Sequence, residues 1–138
     1  EVLKVSRSAE NLPQTTTTSY FTISSGDFTK PAIELVAVVG FADTAIEAVA
    51  NATKLEHSIQ GDMCATLDIN GDGQFTSYSI SGVLADAMLD TSPQLTMQRT
   101  QLLYDGDVQL TCAGSATGTT SWTLYYKKLQ ADAAVVAV

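Results

Sequence analysis

The stretch VQLTCAGSATGTTSWTLYYKKL, residues 108–129, decides the fold class, because apolar and polar residues alternate at both of its ends. In its first half, every second residue is apolar: Val108, Leu110 and Cys112. The second half repeats the same spacing: Trp122, Leu124 and Tyr126. Successive side chains of a β-strand point to opposite faces, so this period of two predicts two strands that are each half-buried.

The dipeptide Asp105–Gly106 precedes this stretch and separates it from another alternating run, TMQRTQLLY, residues 96–104. An Asp-Gly pair between two such runs is a strong hairpin signal, because a type I′ turn needs positive φ at both central residues. The sequence therefore predicts a long β-hairpin centred on this dipeptide. Asp105 and Asp107 are expected to cap backbone amides in its turn.

Alternation continues towards the N-terminus in three further segments: SYFTISS (19–25), MCATLDI (63–69) and FTSYSIS (75–81). In the first of these, Phe21 shares a face with Ile23, and Tyr20 lies on the opposite face. Turn residues recur about every ten positions along the chain. Eight or nine short strands at this spacing predict an all-β domain, an antiparallel sandwich or barrel of jelly-roll-like form.

The segment KPAIELVAVVGFADTAIEAVANATKLEHSI, residues 30–59, is compatible with two structures. Its alanine content favours helix, whereas its Val and Ile content and the glycine at Gly40 favour two strands. The apolar residues form a dense run rather than a stripe with the period of a helix. Two strands are the preferred prediction, and a short helix within residues 44–52 is the alternative.

The two ends of the chain differ from its middle. The first 18 residues, EVLKVSRSAENLPQTTTT, are mostly polar and end in four threonines. Branching at Cβ favours an extended backbone, so residues 1–18 are predicted to form an extended N-terminal arm. Residues 19–130 then form the β domain. Residues 131–138 form a C-terminal tail, which is either a last edge strand or a second arm.

The composition narrows the classes of function. The chain has 138 residues, of which 45% are apolar and 16% charged, and this suits one domain with a single hydrophobic core. Its formal net charge is −8, with only seven Lys and Arg residues. Binding to nucleic acid is disfavoured, because phosphate contacts need basic side chains. No apolar run approaches the roughly 18 residues of a membrane span.

The segment DINGDGQFTSYS, residues 68–79, resembles part of a calcium-binding loop. Asp68, Asn70 and Asp72 supply three hard oxygen donors on a sharp turn, and Ca²⁺ prefers about six to eight such oxygens. Against this, Ser79 occupies the twelfth position, where an EF-hand has a bidentate Glu, and the flanking segments alternate as strands do. The preferred interpretation is a turn between two antiparallel strands. Calcium is the single candidate cofactor.

No constellation of residues in the sequence points to an enzyme, and no catalytic residue is assigned. The chain lacks a nucleophile elbow, a Walker loop, a dinucleotide-binding fingerprint and a zinc ligand cluster. The single histidine, His57, stands beside Glu56 in the manner of a general base. It also alternates with the apolar Leu55. An ordinary surface or half-buried histidine on a strand is therefore the preferred interpretation.

The two cysteines, Cys64 and Cys112, lie on separate predicted strands. A disulfide between them would close a loop of about 48 residues and stabilise the fold by roughly 3–4 kcal/mol. Strand parity argues against it, because Cys112 shares the apolar face of its strand, whereas Cys64 opposes the apolar face of its own. Buried free thiols are the equal alternative.

Several segments, taken together in their order and spacing, resemble a group of small structural proteins of tailed bacteriophages. These segments span most of the chain: NLPQTTTTSYFTISSG (11–26), CATLDINGD (64–72), VQLTCAGSATGTTSWTLYY (108–126) and DAAVVAV (132–138). The resemblance implies a virion structural protein without an active site, namely a capsid decoration (cement) or head-spike protein on the capsid exterior. Its implied partners are the major capsid protein and copies of itself, in a homo-oligomer such as a trimer, with no nucleic acid or membrane partner.

Residues 1–18 fit this implied function, because an extended segment can add to the sheet edge of a neighbouring subunit. Two alternatives stay open. A phage tail tube or tail tip subunit would use the long hairpin to build a ring. A receptor- or glycan-binding β-sandwich would use aromatic side chains around a polar pocket, and four are available: Tyr20, Tyr104, Trp122 and Tyr125.

Overall fold

The computed structural model describes residues 1–47, 49, 51–63, 67–68, 75–79 and 101–138. These residues form β-strands and no helix. The strands are β1 (Leu3–Asn11), β2 (Thr16–Ser24), β3 (Ile33–Ala42), β4 (Ala52–His57), β5 (Gly61–Asp62), β6 (Leu67–Asp68), β7 (Phe75–Ser79), β8 (Gln101–Leu103), β9 (Gly106–Cys112), β10 (Thr119–Lys128) and β11 (Ala134–Ala137).

The strands form two antiparallel sheets that pack on each other as a sandwich. In the first sheet the order is β1-β10-β3, and β7 and β8 share the far edge of β3. In the second sheet the order is β11-β2-β9-β4, and β5 and β6 share the far edge of β4. The predicted all-β antiparallel sandwich is therefore confirmed, and the two sheets do not close into a barrel. Of the eleven strands described, β5 and β6 have two residues each, and the other nine agree with the predicted eight or nine.

The alternation predicted for residues 108–126 is confirmed, since every second residue of β9 and of β10 as far as Tyr126 is buried. Trp122 of β10 lies near the centre of the core, with its ring centroid 6.2 Å from that of Tyr20. Its ring also covers Gly40 of β3, where an added Cβ would lie 2.5 Å from the indole. Glycine at this position leaves room for the large aromatic side chain to lie flat against the strand.

β2 departs from the predicted alternation. Its pairing with β9 shifts register between Ser19 and Phe21, and both Tyr20 and Phe21 are buried. A bulge of this kind turns one extra residue out of the regular alternation, so the prediction that Tyr20 faces away from Phe21 is wrong. The guanidinium of Arg7 lies 4.2 Å from the centroid of the Tyr20 ring. Burial raises the pKa of Tyr20 to about 12.

The predicted hairpin at Asp105–Gly106 is not formed. β8 belongs to the first sheet and β9 to the second, so the dipeptide carries the chain from one sheet to the other. The backbone N–H of Ser25 donates a hydrogen bond to the Asp105 carboxylate at 3.1 Å. This contact with the loop after β2 holds Asp105 at the end of the second sheet, away from a tight turn. The hairpin that a tail tube subunit would use is therefore absent at this dipeptide.

The end segments are both extended, and both pair within the domain. Residues 3–11 of the expected arm form β1, which is antiparallel to β10. The tail forms β11, antiparallel to β2, so it is an edge strand, one of its two predicted alternatives. β1 and β11 lie near each other on one side of the sandwich. The N-terminal segment is therefore not a free arm. It is an edge strand, and the part of it that can contact a neighbouring subunit is the outer edge of β1.

The segment of residues 30–59 forms strands, as preferred. β3 occupies its first half and β4 its end, and both alternate buried residues with more exposed ones. Of the intervening residues that the structure describes, 43–47, 49 and 51, none is helical. β-branched residues therefore outweigh the alanine content here, because the sheet buries them on one face.

Candidate functional site

The candidate calcium loop lies largely outside the described residues. Asp68 belongs to β6, where its backbone pairs with Ala52 of β4. Asn70 and Asp72 are not among the described residues, so the calcium site and the alternative turn both remain predictions. Within the described part of the chain, no group of three or more His, Cys, Asp or Glu side chains is arranged to hold a metal ion.

His57 ends β4 and is 1% exposed, so the expectation of a surface or half-buried side chain is wrong. Its Nε2 lies 2.9 Å from the carbonyl oxygen of Tyr104, and its Nδ1 lies 3.1 Å from the backbone nitrogens of both Ile59 and Gln60. Because Nδ1 accepts from two N–H groups, the proton sits on Nε2 and the imidazole is neutral. Burial lowers the pKa of His57 below its ordinary value, against the smaller opposing effects of the Tyr104 carbonyl and the Asp107 charge.

His57 lies under one end of the sandwich, which we call the loop end. The loop end consists of the loops after β2, β4, β8 and β10: residues 25–32, 58–60, 104–105 and 129–133. The side-chain amide of Gln60 donates to Leu102 O and accepts from Tyr104 N, both at 2.9 Å. The amide of Gln130 donates to Asp27 O at 2.9 Å and accepts from Asp27 N at 3.1 Å. These bonds join the loops in two pairs, and the bond from Ser25 N to the Asp105 carboxylate connects the two pairs.

The loop end also presents apolar side chains to solvent. Phe28 is 75% exposed and Ile59 is 77% exposed, and Leu129 is exposed on a third of these loops. Leu102, at the end of β8 next to residues 104–105, is exposed as well, and we count it with the loop end. Grouped exposed apolar side chains mark interaction surfaces more often than isolated ones do. Sequence reasoning missed this surface. The available signal was a single large apolar residue among turn formers, as in SGDFTK (25–30) and HSIQGD (57–62).

A second candidate surface is the side of the sandwich formed by β1 and β11, which we call the edge side. Neither strand has a further neighbour in its sheet among the described residues, so both are edge strands there. Three exposed apolar residues lie on these strands or next to them: Val2, Val136 and Val138. The described part of the chain contains nine strongly exposed large apolar residues, and seven lie on these two surfaces.

The outer face of the second sheet is polar, and its groups bind one another. Thr17 and Thr111 share a hydrogen bond of 2.8 Å, and Thr111 also donates to Glu56. Lys54 contacts Glu56 at 3.7 Å and Asp62 at 2.8 Å. Groups that satisfy each other in this way gain little by exchanging partners for a ligand.

The aromatic residues considered for sugar binding are also distributed unfavourably. Tyr20 and Trp122 are buried in the core, while Tyr104 and Tyr125 are only half-exposed. A sugar platform needs aromatic faces open to the ligand beside a polar pocket. Two of the four side chains that the glycan-binding alternative would use are therefore occupied by packing.

Cys112 is a buried free thiol. The Thr53 hydroxyl donates to its Sγ at 3.7 Å, and burial raises the pKa of the thiol. Cys64, its candidate disulfide partner, lies outside the described residues. Of the two alternatives weighed for Cys112, the structure shows a free thiol that packs as a small apolar side chain.

Comparison with protein-family models, with curated proteins and with solved structures finds no match to this chain. Among the residues that the structure describes, no helix has the length and apolar character needed to cross a membrane.

Proposed function

We propose that this protein is a virion structural protein of a tailed bacteriophage, a capsid decoration protein that binds the outer capsid surface through its loop end. The observation that carries this proposal is the set of exposed apolar side chains there, held on loops that hydrogen bonds fix in place. The likeness of four sequence segments to small structural proteins of tailed phages supports the proposal. The protein acts by binding, without catalysis.

Preformed loops suit a docking surface, because little conformational entropy is lost when they bind. Complete burial of a side chain such as Phe28 or Ile59 contributes about 1.5–3 kcal/mol. Since about 1.4 kcal/mol corresponds to a factor of ten in affinity, each of these two anchors is worth roughly tenfold or more. Leu102 and Leu129 are further exposed apolar side chains at this end of the sandwich.

The edge side supports the same function in a different manner. Decoration proteins stand next to one another on a symmetric shell, so contacts between neighbours add to the contact of each copy with the capsid. The edge strands β1 and β11 are surfaces to which a neighbour's strand can add. Contacts between subunits therefore form along the edge strands of the folded domain, and no N-terminal arm has to extend away from it.

Co-sedimentation with empty capsids tests the proposal, using capsids assembled from the major capsid protein of the phage that carries this chain. The wild-type protein is expected to pellet with the capsids, and Phe28→Ser and Ile59→Ser are each expected to weaken binding about tenfold. Val49→Ser is the matched control, because Val49 is exposed at the opposite end of the sandwich. Wild-type protein that stays in the supernatant would overturn the proposal. Equal binding by all variants would show that the loop end is not the surface that binds the capsid.

A further inference from the structure

The turn that follows β4, residues 58–60, is held by the imidazole of His57, and we call it the Ile59 turn. Nδ1 of the ring accepts hydrogen bonds from the backbone N–H groups of Ile59 and Gln60, both at 3.1 Å. Ile59 is one of the exposed apolar anchors of the loop end. The position of that anchor therefore depends on the lone pair of one buried histidine.

The opposite side of the ring faces the link between β8 and β9. Nε2 lies 2.9 Å from the carbonyl oxygen of Tyr104, and an added Cβ on Gly106 would lie 2.5 Å from Cε1. This link carries the chain from the first sheet to the second and continues directly into a strand at each end. The ring thus lies between a link with little freedom to move and a three-residue turn at the surface, so a change in the ring is expected to displace the turn first.

The hydrogen-bond partners of the ring suit a neutral imidazole. Among the described residues they are two N–H groups at Nδ1 and one carbonyl oxygen at Nε2. A proton added at Nδ1 would face both N–H groups, and the ring is only 1% exposed, so water does not reach it. A buried polar group without a partner is destabilising. The charged ring is therefore favoured only when the turn moves away and Nδ1 can donate to water.

Four carboxylates lie on the elements packed around the ring: Glu56, Asp62, Asp105 and Asp107. The first two are ion-paired with Lys54, and the other two accept hydrogen bonds from hydroxyls of β2 and of the loop after it. The Asp107 charge raises the pKa of His57, but burial lowers it by more. Tyr104, the other titratable residue beside the ring, contacts it through its backbone carbonyl. The described residues therefore give the charged ring no ion pair that would hold it in place.

We propose that His57 is a pH-sensitive latch of the loop end: protonation of the buried ring releases the Ile59 turn and so weakens docking to the capsid in mildly acidic solution. This inference rests on the proposed function, because it concerns the regulation of the same surface. The other anchor, Phe28, lies on a loop held by Gln130 and Asp105. The latch therefore acts on one of the two anchors.

The direction and the range of the effect follow from the two forms of the turn. When the turn is released, the ring reaches water and its pKa returns towards the ordinary value of about 6.5. Because burial lowers the pKa of His57 in the closed form, the released form binds more protons and its population rises as the pH falls below 6.5. The rise is at most about tenfold per pH unit, or about thirtyfold between pH 6.5 and pH 5.

Backbone amide exchange between pH 7 and pH 5 tests the latch on the isolated protein. After correction for the intrinsic exchange rate, protection of the Ile59 and Gln60 amides is expected to fall by up to about tenfold per pH unit below pH 6.5. Two control amides are expected to keep their protection: Asp27 in the loop after β2, and Ala113, which is bonded to Ala52 at the far end of β4. Constant protection at Ile59 would overturn the inference. An equal fall at Ala113 would also overturn it, because it would indicate unfolding of the whole domain.

His57→Asn is the matched variant for the exchange measurement. Its Oδ1 can accept both turn amides and does not titrate. Protection at Ile59 is therefore expected to be independent of pH in this variant, and a fall like that of the wild type would overturn the inference. The comparison of turn and control amides within the wild type does not depend on this variant.

Co-sedimentation with empty capsids at pH 7 and pH 5.5 tests the effect on docking. The wild type and Phe28→Ser are each expected to bind more weakly at pH 5.5, by up to the roughly tenfold contribution of the Ile59 anchor. Ile59→Ser, which lacks that anchor, is expected to bind equally at both pH values. Equal pH effects on all three proteins would overturn the role of the latch in docking. If none of them binds capsids at either pH, the proposed function fails, and the exchange measurement still decides whether the latch exists.

Discussion

Replacement of His57 by asparagine is expected to remove a pH dependence of stability that this one side chain causes. Nδ1 of His57 accepts backbone hydrogen bonds from Ile59 and Gln60, so protonation would convert Nδ1 from an acceptor into a donor that faces two N–H donors. The pKa of His57 is lowered in the folded state, mainly by burial. The unfolded chain therefore binds more protons than the folded chain as pH falls below the unfolded value of about 6.5.

The sign and the upper limit of the effect follow from this difference. The contribution of His57 to stability is complete above pH 6.5 and is lost as the pH falls towards its lowered folded-state pKa. One proton changes the free energy of unfolding by at most about 1.4 kcal/mol per pH unit. Most carboxyl groups have ordinary pKa values near 4, so they contribute little to the change in stability between pH 6.5 and pH 5. A change in this pH range therefore reports mainly on His57.

His57→Asn is a suitable comparison, because Asn Oδ1 can accept the two turn amides and does not titrate. At neutral pH the variant loses the bond to the Tyr104 carbonyl and is expected to be about 1–3 kcal/mol less stable. That deficit should shrink by up to about 1.4 kcal/mol per pH unit below pH 6.5.

Urea unfolding followed by the fluorescence of Trp122, the single tryptophan and a buried one, measures both proteins. NMR titration of the single histidine gives its pKa and tautomer directly. A deficit that stays constant from pH 7 to pH 5, or a proton found on Nδ1 at neutral pH, would refute the reasoning.

Three further predictions follow from local geometry. Gly106→Ala is expected to cost about 3 kcal/mol in thermal or urea unfolding, because φ is 146° and an added Cβ would lie 2.5 Å from the buried imidazole. Gly61→Ala has positive φ but open space around it, so its cost should be only about 1–2 kcal/mol, and equal costs would contradict the steric argument. In a Cys64→Ser background, Cys112 is expected to react with a thiol reagent only as fast as the protein unfolds, since burial blocks access and raises its pKa; rapid reaction of the folded protein would count against this. Calcium is expected to leave the thermal midpoint unchanged, and a calcium-dependent rise that Asp72→Asn abolishes would instead favour a calcium site.

The strands that could be predicted from sequence are those whose neighbours reinforce the local pattern. β9 and β10 each lie between two other strands, with one face on the core, so their alternation persists in the fold. The Asp105–Gly106 signal was equally strong but wrong. Asp105 binds Ser25, and Tyr104 binds His57, which lie 80 and 47 positions away. Contacts at such separation outweigh a local turn preference, and no single sequence segment contains them.

The two candidate surfaces could not be predicted from the sequence for the same reason. Phe28 and Ile59 are visible in the sequence as lone apolar residues among turn formers, yet nothing in the sequence places their loops at one end of the sandwich. Their position follows from the strand order, in which β2 and β4 both flank β9. The edge position of β11 likewise depends on which residues pair with β2, and register of that kind is set by the whole sheet.

The pairing of β1 with β10 also dictates the order of events during synthesis. Ser6 and Thr123 share a hydrogen bond across this pair although they are 117 positions apart. At roughly 5–20 residues added per second, the N-terminal segment waits on the order of ten seconds before its template leaves the ribosome. Until then β1 has no β10 to pair with, and the β10 of another, longer nascent chain can pair with it equally well. Dense polysomes should therefore yield strand-exchanged dimers, whereas dilute refolding should yield monomers with their own β1 in place.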